Sequence, residues 1–168
     1  MSRNRLEPHT GATLDFTFNG KAYQGIVGDN LASALLANGV DVVGRSFKYA
    51  RPRGIFGHGA EEPNAIIQLG AGAATIPNLK ATQVELYQGL EASSVNGWPS
   101  VDFDVMGIIG AFGRLMPPGF YYKTFMYPKK LWMTYEHFIR KAAGLGATPV
   151  EADPDSYDKL NQHCDVLV

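Results

Sequence analysis

Cysteine is almost missing from this chain of 168 residues, with Cys164 its single thiol. One thiol excludes an internal disulfide framework and any multi-cysteine metal site. Charge is scarce as well, at 18% Asp, Glu, Lys and Arg with a formal net charge of −1. That leaves neither the basic footprint of a nucleic-acid binder nor the composition of a disordered tail. No uncharged apolar run reaches the roughly 18 residues expected of a membrane span. Residues 1–10 are polar, with no apolar core of the kind that marks a signal peptide. The expected compartment is therefore the cytoplasm. Chemical motifs are missing too. There is no G-x-S-x-G elbow for a nucleophilic serine. His9, His58, His137 and His163 are scattered without zinc-ligand spacing. No Gly-Lys-Ser/Thr follows Gly54, Gly57 and Gly59, so they do not form a P-loop.

What the chain has instead is 19 glycines, 10 prolines and a 45% hydrophobic fraction. That composition suits one domain of ordinary size with an appendage and specifically shaped loops. Leu14 to Phe18 alternates apolar and polar, Asn19-Gly20 is a strong hairpin signal, and Lys21 to Ile26 reads as the return strand. Gly28-Asp29 breaks that strand, and Asp29 is placed to cap a helix. Leu31, Ala34 and Leu35 share one helical face, and Asn38-Gly39 is a left-handed stop. Val40 to Val43 reads as a short strand and 44–63 as a long loop. Asn64 to Leu69 and Lys80 to Tyr87 read as further strands, with Leu90 to Ser93 pairing back after the turn at Gln88-Gly89. The order predicts an α+β unit over residues 1–95, a small mixed sheet on one helix, as in a β-grasp fold.

From Trp98 the character changes, and residues 96–163 read as a helical, aromatic-rich extension. Val105 to Leu115 reads as a helix weakened by Gly107, Gly110 and Gly113 and ended by Pro117-Pro118-Gly119. Lys129 to Ala143 reads as a second helix led by Pro128 and stopped at Gly144, and Asp153 to Gln162 as another helical turn or two. Phe120, Tyr121, Tyr122, Phe125, Tyr127 and Trp132, mixed with Lys123, Lys129 and Lys130, fit either a contact surface or a satellite core. Residues 164–168 look like the start of a buried strand leading into a further, dinucleotide-binding domain. The alternative is a strand that closes the sheet.

The loop "RPRGIFGHGAEEPNA" has the outline of a cluster-binding loop. A plant-type ferredoxin holds two irons with C-x4-C-x2-C and a fourth cysteine further on. Starting at Gly57, that spacing falls on Gly57, Glu62 and Ala65. None is a thiolate donor, so no metal is expected there, and Cys164 would supply one bond at most. Resemblance adds to this. "GDNLASALLANGVDVVGRSFKYARPRGIFGHGAEEPNA", "KATQVELYQGL", "GWPSVDFD", "PPGFYYKTFM" and "RKAAGLG" resemble, in order, the amino-terminal part of the alpha subunit of heterotetrameric sarcosine oxidases. The resemblance implies a ferredoxin-like β-grasp domain that has lost its cluster. It also implies a parent complex that oxidises N-methylglycine at a flavin and passes the one-carbon unit to water or tetrahydrofolate. FAD, FMN and NAD are implied for the whole complex and none for this stretch. Its partners would be the remainder of the alpha subunit and the other subunits, with no nucleic acid and no membrane.

Arg45, Lys48, Arg51 and Arg53 form the remaining constellation, interleaved with Phe47 and Tyr49. In an extended segment the three arginines would share a face and could contact a flavin phosphate or an acidic partner. Equally, they could pair with Glu61, Glu62 or Asp41 and pin the loop. Asp102 and Asp104 read as caps of the following helix. No residue is expected to be catalytic. The sequence therefore predicts a structural and interface module of a sarcosine-oxidising complex. A degenerate electron-transfer module of a related amine or amino-acid dehydrogenase, or a free-standing β-grasp binding protein, are the alternatives.

Overall fold

Asn19 and Gly20 reverse the chain with φ of 52° and 74°, the left-handed pair that a tight hairpin turn needs. They join β1 (Thr13–Phe18) to β2 (Lys21–Ile26), antiparallel with Phe16 opposite Tyr23. These first strands belong to a computed structural model that describes residues 11–112, 119, 127–153, 155–161 and 163–166. Alternation sends Phe16 and Phe18 into the core while Thr13 and Asp15 face water.

Helix α1 (Leu31–Ala37) buries Leu31, Ala34 and Leu35 against the sheet. Its cap is Asn30, not Asp29: Asn30 has the extended backbone a cap requires, and its Oδ1 accepts the Ser33 N–H at 2.8 Å. Asp29 ties hairpin to helix instead, its Oδ2 accepting from Ile26 N at 2.9 Å and its Oδ1 from the Ser33 hydroxyl at 3.0 Å. Gly39, at φ 74°, ends the helix as predicted, with Gly39 N–H donating to Leu36 O and Val40 N–H to Leu35 O, each at 3.0 Å.

The predicted strand at Val40 to Val43 does not form. Val43 is buried in the core, and pairing begins after it, in a small hairpin of β3 (Gly44–Arg45) and β4 (Pro52–Arg53). β5 (Ile66–Leu69) then pairs antiparallel with β6 (Ile76–Lys80), with a bulge between Ile67 and Leu69. The strand expected over Lys80 to Tyr87 therefore ends where it was to begin. A 3-10 turn, Ala81–Gln83, follows, and Val84 and Leu86 are buried off the sheet, fastened to the start of α1 through Leu31 N–H to Val84 O at 2.8 Å. β7 (Leu90–Ser94) does not pair back on that segment. It inserts between β1, which it meets in parallel, and β5. The sheet order is β2-β1-β7-β5-β6. A mixed sheet on one helix, with the last strand parallel to the first, is the arrangement that a β-grasp unit requires.

Beyond the sheet, Asp104 Oδ1 accepts from Met106 N–H at 3.0 Å and opens α2 (Met106–Ala111). The rest of the expected helix, 113–115, and the Pro117-Pro118 stop lie outside the described residues, as do Phe120, Tyr121, Tyr122, Lys123 and Phe125. α3 (Trp132–Ala143) follows a 3-10 turn, Lys129–Leu131, and stops at Gly144 with φ 77°. No helix forms among the described residues of 153–162. Asp153 instead accepts Asp155 N–H at 2.9 Å and the Tyr157 hydroxyl at 2.6 Å, a local turn that competes with helix. Residues 164–166 are exposed and unpaired by strand, and Leu167 and Val168 lie outside the described residues.

Candidate functional site

The chain from Gly54 to Asn64 connects β4 to β5 and folds around one side chain. Glu62 is 0% exposed although it is a carboxylate. Its Oε2 accepts the N–H groups of Phe56, at 2.7 Å, and Gly57. Its Oε1 accepts those of Asn64 at 2.7 Å and Ala65 at 3.2 Å. The two oxygens thus join both sides of the loop. Burial opposes ionisation of Glu62, but the four backbone donors together outweigh it and hold the carboxyl below its ordinary value. Glu61 lies outside, accepting from Gly59 N–H at 3.1 Å and facing the exposed His58 ring at 3.6 Å.

The far wall comes from the end of β6. The Thr82 hydroxyl donates to Gly59 O at 2.8 Å, and the Lys80 ammonium donates to Ala60 O. The sequence reading missed both residues because it placed them on a strand. It missed the role of Glu62 because it weighed that side chain as a metal ligand or as a partner for the arginines, not as an acceptor for backbone N–H groups. The usable signal was one long acidic side chain inside a glycine-rich turn, where backbone N–H groups need an acceptor.

The basic residues are not spread along an extended segment. Ser46 N–H donates to Arg51 O at 2.9 Å, so the chain turns back between them. Arg45 points inward, donating from Nε to Val101 O at 2.6 Å and from its terminal nitrogens to Ala50 O at 3.1 Å and Asp102 O at 2.9 Å. Lys48 and Arg51 lie over the Tyr49 ring at 4.9 Å and 4.8 Å, and Arg53 reaches Asn64 Oδ1 at 3.4 Å. Beside the hairpin, an apolar groove of about 930 Å³ runs between Phe47, Val95, Trp98, Met106, Phe138 and Ala142.

Residues 11–97 match the model of a 2Fe-2S iron-sulfur cluster binding domain. The chain belongs to this family. It is also homologous to sarcosine oxidase subunit alpha. The subunit from Rhizobium meliloti (strain 1021) is 57% identical over 156 residues, which are 92% of this chain and 16% of the relative. That from Corynebacterium sp. (strain U-96) is 42% identical over 92 residues, covering 53% of this chain and 10% of the relative. The chain therefore spans a small part of the length of the curated relatives it matches. Among solved structures, L-proline dehydrogenase from P. horikoshii aligns with a TM-score of 0.43 at 25% identity, over 55% of this chain and 17% of that one.

The family's cluster does not fit the residues present. Gly57 and Ala65 have no side-chain atom that could ligate a metal, and the two oxygens of Glu62 are spent on backbone N–H groups. No group of three or more His, Cys, Asp or Glu is gathered among the described residues. Cys164 is exposed and lies outside the matched region.

Proposed function

We propose that this chain is a structural and interface module of a flavin-dependent heterotetrameric complex that demethylates sarcosine to glycine. The other products would be formaldehyde or methylene-tetrahydrofolate, and hydrogen peroxide. On this reading FAD, FMN and NAD bind elsewhere in the complex, and residues 1–95 form a ferredoxin-like domain that carries no cluster. Residues 96–163 then form an extension against its neighbours. The observation that carries this reading is Glu62: in a chain homologous to sarcosine oxidase subunit alpha, a carboxylate takes up the donors of the loop in which the family holds its irons.

The interface part rests on exposed apolar side chains along the groove, Trp98 at 67% and Phe138 at 65%. Lys48 lines the groove, and with the exposed Arg51 and Arg53 of the adjoining hairpin it would contact an acidic patch or a flavin phosphate. Among the described residues no helix is long and apolar enough to cross a membrane. On the proposed reading the complex is cytoplasmic. The test is Trp98→Ser with Phe138→Ser in the whole complex. Loss of subunit association with an unchanged Tm of the isolated chain supports the reading. Full association and normal sarcosine turnover would contradict it. A second reading, an electron-transfer module, draws on the family match alone and requires bound iron.

A further inference from the structure

We propose that Glu62 is a built-in anion that takes the place of the family's cluster and holds the loop closed through the loop's own backbone donors. The inference rests on the reading that no cluster binds here. Two ferric ions, two sulfides and four thiolates together carry net negative charge, so a loop shaped to cradle them must turn N–H groups inward. Successive inward N–H groups form an anion-binding concavity. Such donors, shut from water without an acceptor, would destabilise the loop.

Glu62 supplies the acceptor from within the chain. A local turn would use one or two neighbouring N–H groups. Here the carboxylate spans the loop, taking Phe56 and Gly57 on one oxygen and Asn64 and Ala65 on the other. Two of the donors, Gly57 and Ala65, sit at cluster-ligand positions, and Glu62 occupies the third. The loop is tightly packed at Gly57. A Cβ at Gly57 would lie 3.2 Å from Glu61 Oε1 and 3.3 Å from Glu62 Cα, closer than a side chain there tolerates without a shift. Thr82 and Lys80 close the fourth side by hydrogen bonds to Gly59 O and Ala60 O. The same shell that could present donors to an inorganic anion thus presents them to an organic one.

The test is amide hydrogen exchange on the full chain, comparing wild type with Glu62→Gln and Glu62→Ala. Gln keeps the shape but turns an NH2 group toward two N–H donors. Protection at residues 56, 57, 64 and 65 is expected to fall about tenfold or more in both variants, while β1 and β7 keep theirs. In Glu62→Ala, added formate is expected to restore protection and formamide is not. Unchanged protection in Glu62→Gln would overturn the inference, as would equal rescue by formate and formamide, or rescue by neither. Glu62→Gln, the milder change, carries the measurement if Glu62→Ala does not fold. Iron in the wild-type protein would sink the cluster-free reading. Undiminished protection in an iron-free Glu62→Gln chain would sink only the role given to Glu62.

Discussion

A buried carboxylate that stays ionised makes stability depend on pH in a definite direction. Burial raises the Glu62 pKa, and the four backbone donors more than reverse that. The folded-state value is therefore below the unfolded one, about 4.3. Its contribution is complete above the unfolded value and is lost as pH falls through the folded one. Urea titrations should show wild type losing its advantage over Glu62→Gln as pH drops below about 5. An advantage constant from pH 7 to 3 would contradict this. Arg45 gives a second residue-scale expectation. Its guanidinium bonds three backbone carbonyls from two segments. Arg45→Ala should cost on the order of 2 kcal/mol. Arg45→Lys should recover little in thermal denaturation, because an ammonium lacks the planar fork of donors.

Elements were legible where local chemistry and tertiary packing agree. Asn19-Gly20 and the alternation around it specify the β1–β2 hairpin, and Leu31, Ala34 and Leu35 specify α1. β6 was hidden because Pro77 and Asn78 read as loop, yet β6 lies at the sheet's edge, where a missing N–H is tolerated. The β3–β4 hairpin was hidden because its strands are two residues long and carry no pattern. For the site, spacing singled out positions 57, 62 and 65, three residues that the Glu62 hydrogen bonds bring together. It gave no sign that the glutamate would turn inward, since that depends on N–H groups that only the folded loop brings together. Packing between elements yields its own prediction. A Cβ on Gly25 would sit 2.2 Å from Leu86 Cδ2 and 3.2 Å from Ala34 Cβ, between β2 and α1. Gly25→Ala should cost about 1–3 kcal/mol by overpacking, measurable by urea denaturation. A neutral result would mean that Leu86 swings aside freely.

At the scale of the molecule, the sheet and α1 bury a continuous core of Phe16, Phe18, Leu35, Ile67 and Leu90. The second half keeps Trp98, Met106 and Phe138 exposed along the groove. On the proposed reading, this apolar face on the outside is where the chain holds its neighbours. The central claim is that the fold of an iron–sulfur domain persists here with a carboxylate where the cluster would be. Its most direct test is iron and acid-labile sulfide analysis of the protein after anaerobic reconstitution with ferrous iron and sulfide, followed by desalting. The account predicts a colourless protein with neither element above trace. Stoichiometric iron and sulfide, with the absorption of a two-iron cluster, would contradict it.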